Sequence, residues 1–206
     1  MPELDVRLWA DPCCPWAWRA LGWLTSASAR RGVDFSLKLV SLAMIDARTG
    51  AGRNPGHRAS LAMENVIMAA RLEYGHASAL PLFRAMGRRI HDEGYDTALE
   101  AQRIILESLA EVGMGRELVP LASDPGTGAA LLAEHDEGVH LAGPHAAGSP
   151  IIAIGRTAFL GPVLGEHLAD DDAARLFDAV VTAATTPGFY ELKRSRDDDH
   201  DHDHDH

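Results

Sequence analysis

Cysteine is nearly absent from this chain. Only two occur in 206 residues, and they are neighbours, Cys13 and Cys14, so a disulfide-stapled scaffold is excluded. Adjacent α-carbons across a trans peptide lie about 3.8 Å apart, below the ~4.4 Å at which disulfides begin. The pair is therefore not a structural bridge, and at least one of the two reads as a reactive thiol. Long apolar runs are also missing, and nothing approaches the ~20 residues that span a bilayer. Asp5 and Arg7 interrupt the N-terminus, which has no apolar core before a small-residue cleavage site. That pattern reads as a cytoplasmic protein with no membrane partner. Basic residues are the minority, 19 Lys and Arg against 30 Asp and Glu for a net charge of −11, which argues against a nucleic-acid partner. Much of that charge sits in the last ten residues, Asp197–His206, where Asp and His alternate without a single base.

What is present is an ordinary globular composition, 46% hydrophobic and 24% charged, long enough for one domain with an insertion or for two small ones. Val6, Leu8 and Ala10 alternate as a strand that Asp11-Pro12 breaks,. Pro15 suits the first turn of a helix, whose apolar positions Trp16, Ala20, Trp23, Leu24 and Ala27 run to a basic end and a glycine stop at Arg30-Arg31-Gly32,. Val33 to Met44 alternates as a second strand, completing a βαβ unit,. After the loop at 49–56, helical periodicity recurs around 58–74, 79–91, 97–112 and 127–137, with no strand signal between,. Ile151–Ile154 and Thr157–Leu160 flank a turn at Gly155-Arg156 as a hairpin,. Asp170 is placed to cap a last helix that Pro187-Gly188 ends,. The expected organisation is an α/β layout: residues 1–48 and 146–196 form one domain, 49–145 an all-helical insertion, and 197–206 a disordered Asp/His tail,.

The densest chemistry lies in Asp11-Pro12-Cys13-Cys14-Pro15-Trp16-Ala17-Trp18, at a strand-to-helix junction. A thiol at a helix N-terminus meets free N–H groups and a partial positive charge, so a depressed pKa is expected for Cys14. The same two residues also suit the role of small buried apolar side chains, and residue type leaves both readings open. Trp9, Trp18 and Trp23 read as core, and Trp16 as a cleft wall against which a flat substrate could stack. His57, His76, His91, His135, His140 and His145 read as helix-end or surface residues, with His91 and His145 also placed to line a cleft. No pair has the spacing of a catalytic metal site, so no metal is expected, and no glycine-rich fingerprint specifies a flavin.

The segments 11–18, Val-Ser-Leu-Ala-Met (40–44), Ala-Met-Gly-Arg-Arg-Ile-His (85–91), Gly-Ser-Pro-Ile-Ile (148–152), Phe-Leu-Gly-Pro-Val-Leu (159–164) and Gly-Phe-Tyr-Glu-Leu-Lys-Arg (188–194) occur in order over nearly the whole body. In these segments the chain resembles the DsbA-like branch of the thioredoxin superfamily, and more narrowly the actinobacterial mycothiol-dependent nitroreductases. The resemblance implies a thioredoxin-like fold with an all-helical insertion and a thiol-dependent oxidoreductase. It makes Cys14 the nucleophile, with Pro15 and Trp16 completing the motif, and Pro150 a cis-proline facing the sulfur with Ser149 beside it. Without the resemblance, Pro150 would read as an ordinary trans-proline opening an edge strand. Ala17 stands where the wider family commonly carries its second cysteine, so the implied chemistry is a monothiol cycle. Its co-substrate would be mycothiol or another low-molecular-weight thiol, its substrate a small electrophile or disulfide, with no tightly bound cofactor. A thiol transferase or isomerase of the kappa-class glutathione transferase or chromene-carboxylate isomerase type is the alternative, and a non-catalytic binding module with metal capture by the tail a third. A homodimer is the commonest assembly for a soluble enzyme of this kind.

Overall fold

The computed structural model describes residues 4–52, 54–143 and 148–193. His145 and the Asp/His tail lie outside the described residues. The chain runs β1 (Val6–Ala10), α1 (Pro15–Arg31), β2 (Ser36–Leu39), α2 (Leu42–Thr49), α3 (Pro55–Tyr74), α4 (Ala79–His91), α5 (Thr97–Glu111), α6 (Leu118–Leu121), α7 (Pro125–Ala142), β3 (Ile151–Ile154), β4 (Thr157–Leu160) and α8 (Asp170–Thr185). The four strands form one sheet in the order β2-β1-β3-β4. β1 and β2 are parallel, with Leu8 opposite Leu37, as a βαβ crossover requires,. β3 returns antiparallel to β1, with Leu8 opposite Ile152, and pairs with β4 as a hairpin.

β1 is more enclosed than its alternation implies, because Leu8, Trp9 and Ala10 are all fully buried. The reason is that both faces of the sheet are covered. On one face Val6, Leu8, Ala10 and Ile152 pack into the main core with α1 and α8. On the other, Trp9, Ile151 and Ala153 meet Val139, Leu141 and Ala142 of α7. α7 reaches this position because Gly138 lies against Trp9, where an added Cβ would stand 2.6 Å from the indole. The indole Nε1 donates to the Glu134 carbonyl at 3.0 Å.

A buried charge cluster ties α3 and α7 to β2. Arg71 pairs with Glu134, while Arg71 Nη2 donates to the Leu37 carbonyl at 3.0 Å and Leu39 N–H donates to Glu134 at 2.6 Å. On the opposite layer, Trp23 Nε1 donates to the Ala173 carbonyl at 2.9 Å and α1 meets α8 through Arg31 and Asp178.

Two local expectations shift. The second strand is only Ser36–Leu39, and α2 begins at Leu42, because the Asp11 carboxylate accepts the Leu42 N–H at 2.8 Å and satisfies an orphan donor of that helix start,. α8 has Ala169 at its N-cap, and Asp170 is its first residue. Asp170, Asp171 and Asp172 thus all sit in the first turn, where negative charge suits the dipole,, and Asp170 accepts from the Ser26 hydroxyl at 2.7 Å.

Candidate active site

The site forms where β1 ends beneath α1. Cys14 is the N-cap of α1, with extended backbone and Pro15 following at the first helical position. A turn precedes it, closed by Cys14 N–H to the Asp11 carbonyl at 3.1 Å. The peptide bond between Ser149 and Pro150 is cis, and Ser149 lies directly opposite Cys14. The Cys14 thiol donates to the Ser149 carbonyl at 3.3 Å, and Ser149 Oγ accepts the Asp11 N–H at 3.0 Å. Both cysteines are free thiols. Cys14 is 3% exposed, Cys13 is partly exposed, and Ala17 is fully buried.

The expectation of an acidic Cys14 is not met. Burial pushes the Cys14 thiol up to about 11, and the Asp11 carboxylate adds to the rise. The backbone N–H groups of Ala17 and Trp16 and the Ser149 side chain act in the opposite direction, but they are outweighed. The helix terminus thus supplies the stabilisation expected of it, and loss of water around the sulfur exceeds it. Cys13 is raised further, by burial first and then by Asp11.

Asp11 is the hub of the site. Its carboxylate, fully buried, accepts from Cys13 N–H at 2.9 Å, from Leu42 N–H and from the Ser60 hydroxyl of α3. Three segments distant in sequence are held on one side chain.

Around this hub, Trp16 is partly exposed and carries the Arg19 guanidinium over its ring at 5.2 Å. Arg19 also donates to the Leu164 carbonyl at 3.2 Å, just beyond the second cis peptide, Gly161-Pro162. Trp9 and Trp23 are core residues, but Trp18 is only partly buried. It stacks on His91 at 5.8 Å and donates to Asp92 at 3.0 Å. His91 Nε2 donates in turn to the Pro12 carbonyl at 2.9 Å, so this histidine does border the thiol loop. Its position there lowers its pKa, chiefly by burial.

His135 departs from the helix-end or surface reading. It is fully buried, and its Nδ1 accepts the Ser41 N–H at 3.0 Å. His57 is half-buried and bonded to Asp46 at 2.7 Å, whereas His76 and His140 are exposed. A groove of about 650 Å³ opens beside Trp18, walled by Leu21, Arg84, Arg88 and His167. Among the described residues no group of three metal-ligating side chains converges.

Sequence reasoning missed the buried polar cluster of Asp11, Ser60 and Glu64. One signal was available: Ser60, Glu64 and Arg71 interrupt the apolar stripe Met63, Val66, Ile67 and Ala70 of α3 at helical spacing, and all of them are buried,. Polar residues on a buried stripe need partners supplied by the fold.

The family model described as mycothiol-dependent nitroreductase Rv2466c matches residues 13–194. The chain belongs to this family. Members of the mycothiol-dependent nitroreductase family are thiol-dependent oxidoreductases, and the chain is an enzyme of that kind with a low-molecular-weight thiol as co-substrate. Solved structures share its fold. The cytosolic disulfide reductase DsbM from Pseudomonas aeruginosa, solved with GSH, superposes with a TM-score of 0.56 at 22% identity, covering 87% of this chain and 100% of that one. A protein from Streptomyces coelicolor described as a probable DsbA oxidoreductase gives 0.56 at 16% identity, covering 93% and 94%. DsbL from Salmonella enterica serovar Typhimurium gives 0.51 at 13%, covering 86% and 88%. The fold is thus thioredoxin-like and DsbA-like, with helices inserted between β2 and β3. Among the described residues no helix is long and apolar enough to cross a membrane.

Proposed function

We propose that the protein is a mycothiol-dependent oxidoreductase that works through Cys14 in a monothiol cycle. The observation that carries this reading is the position of Cys14, at the N-cap of α1 with its sulfur against the Ser149 carbonyl of the cis-proline turn and Ala17 one helical turn on.

The cycle balances with small thiols alone. The Cys14 thiolate attacks one sulfur of a disulfide R–S–S–R′. The S–S bond breaks, Cys14–S–S–R forms, and R′–S⁻ leaves to take a proton from solvent. A second thiolate R″–S⁻ then attacks the sulfur of R, releasing R–S–S–R″ and returning Cys14, which recovers a proton. Backbone N–H groups of Trp16 and Ala17 stabilise Cys14 whenever it is anionic,. Trp16 with Arg19 forms the cleft wall, and Ser149 with Pro150 forms the opposite side that meets the bound thiol. Cys13 does not resolve Cys14, for the distance reason given above.

A second reading, a thiol transferase or isomerase in which Cys14 never enters a disulfide, is favoured by one observation: Cys14 is held as a buried, hydrogen-bonded thiol. Intact-mass analysis after mixing with oxidised mycothiol separates the two. A single adduct of one mycothiol on Cys14, removed by reduced mycothiol, supports the monothiol cycle. No adduct under conditions where the protein still turns over a thiol-addition substrate overturns it.

A further inference from the structure

Glu64 of α3 is fully buried, and neither of its carboxyl oxygens has a hydrogen-bond partner among the described residues. It faces Asp11 and the Ser41 hydroxyl, which is itself unpartnered. Asp11, by contrast, already accepts from Cys13 N–H, Leu42 N–H and Ser60, the donor set of a carboxylate. Two ionised carboxylates in one dry site repel strongly, and the one without donors is the one that keeps its proton. Burial and the Asp11 charge both act on Glu64 in that direction.

We propose that Glu64 holds a proton against Asp11, so that the two buried carboxyl groups carry one negative charge between them, and that this shared charge sets the electrostatic opposition to Cys14 ionisation that acts beside burial. Glu64 is a positioning residue that acts through Asp11. The other titratable groups that bear on Asp11 are Cys13 and Cys14 on the same loop, His91 from α4 and His135 from α7. Nearby Glu134 of α7 is paired with Arg71 and Lys38, and Asp46 of α2 with His57.

The chemistry is a proton linkage with no bond change at carbon or sulfur. As pH rises, Glu64 O–H gives its proton to solvent base and the pair goes from one negative charge to two. The second charge opposes Cys14 ionisation, and by reciprocity the Cys14 thiolate opposes ionisation of Glu64. A mixed disulfide on Cys14 removes the thiolate and releases Glu64 from that opposition. The helices inserted between β2 and β3 therefore contribute an acid to a thiol site that the sheet positions.

This inference rests on the reading of Cys14 as the nucleophile, but its test does not require turnover. In Cys13→Ser protein, the rate of Cys14 alkylation against pH should follow a curve broadened by at least about one pH unit relative to a single-proton titration. Glu64→Gln in the same background should restore a single-proton curve with a lower midpoint, leaving the rate at neutral pH within about twofold. Glu64→Asp, which keeps a second acid, should retain the broadening. Infrared spectra of the otherwise wild-type protein with carboxyl-labelled glutamate should show a protonated-acid carbonyl band at neutral pH, a readout independent of how the variants fold. Absence of that band, or identical alkylation profiles with and without Glu64→Gln, overturns the proposal. Failure to form a mycothiol adduct while the band and the broadening persist would instead overturn the monothiol cycle alone.

Discussion

The Cys14 sulfur and the Ser149 carbonyl oxygen lie 3.3 Å apart, thiol donating and carbonyl accepting. The two residues are 135 positions apart in the chain and meet where β1 and the cis-proline turn leading to β3 come together. Burial holds Cys14 as a thiol, and that thiol donates to the carbonyl.

Cys14 alkylation should rise through the alkaline range, with its midpoint near 11 and not below the ordinary cysteine value of about 8.5. The sign for stability follows from the same shift. The folded protein keeps a proton that the unfolded chain releases above about 8.5, so the stabilisation tied to this group is complete below that pH and is lost progressively as pH rises to about 11,. Iodoacetamide labelling with site assignment by mass spectrometry, beside denaturant unfolding at several pH values, checks both. A midpoint in the neutral range would contradict the burial argument.

Ala17→Cys should create a dithiol with Cys14 across one helical turn, giving a variant that reduces one equivalent of a disulfide substrate without added small thiol and is itself oxidised to an intramolecular disulfide. Ala17 is fully buried in the core, so the extra sulfur should lower stability by about 1–3 kcal/mol. Single-turnover assays of substrate disulfide with and without small thiol, beside thermal unfolding, read the two effects separately. Parent protein that cycles without any small thiol would defeat the monothiol mechanism.

Arg71→Met should destabilise the fold by about 3 kcal/mol, the lower end for breaking a buried ion pair, because Glu134 loses its buried guanidinium partner and keeps only Lys38 at 3.4 Å and the Leu39 N–H. Adding Glu134→Gln should recover part of that loss. Chemical denaturation of the single and double variants measures it, and additive losses would show that the pair is not coupled.

Gly138→Ala should cost about 1–3 kcal/mol by overpacking, since the new Cβ would stand 2.6 Å from the Trp9 indole. Indole fluorescence should change together with the unfolding midpoint. An unchanged midpoint would mean that α7 can move off the sheet at little cost.

The periodicity of the chain was sufficient to order its four strands and its long helices, though not the short helices α2 and α6. α4 spans Ala79–His91 as its apolar stripe implied, the βαβ unit is parallel, and the turn at Gly155-Arg156 closes the last hairpin. The sequence was also sufficient to place Cys14 at the start of α1, because Pro15 can only open a helix there without loss of a hydrogen bond. These features are local, and local residue preferences carry them. Tertiary structure decided the rest. The end of β2 and the start of α2 depend on Asp11, thirty-one positions from Leu42, and no window along the chain contains both. The burial of His135 follows from its bond to Ser41, 94 positions away in the chain. The acidity of Cys14 was decided in the same way: the helix terminus is legible in sequence, but the desolvation that outweighs it arises only when α1, the Ser149-Pro150 turn and the inserted helices close over the sulfur,.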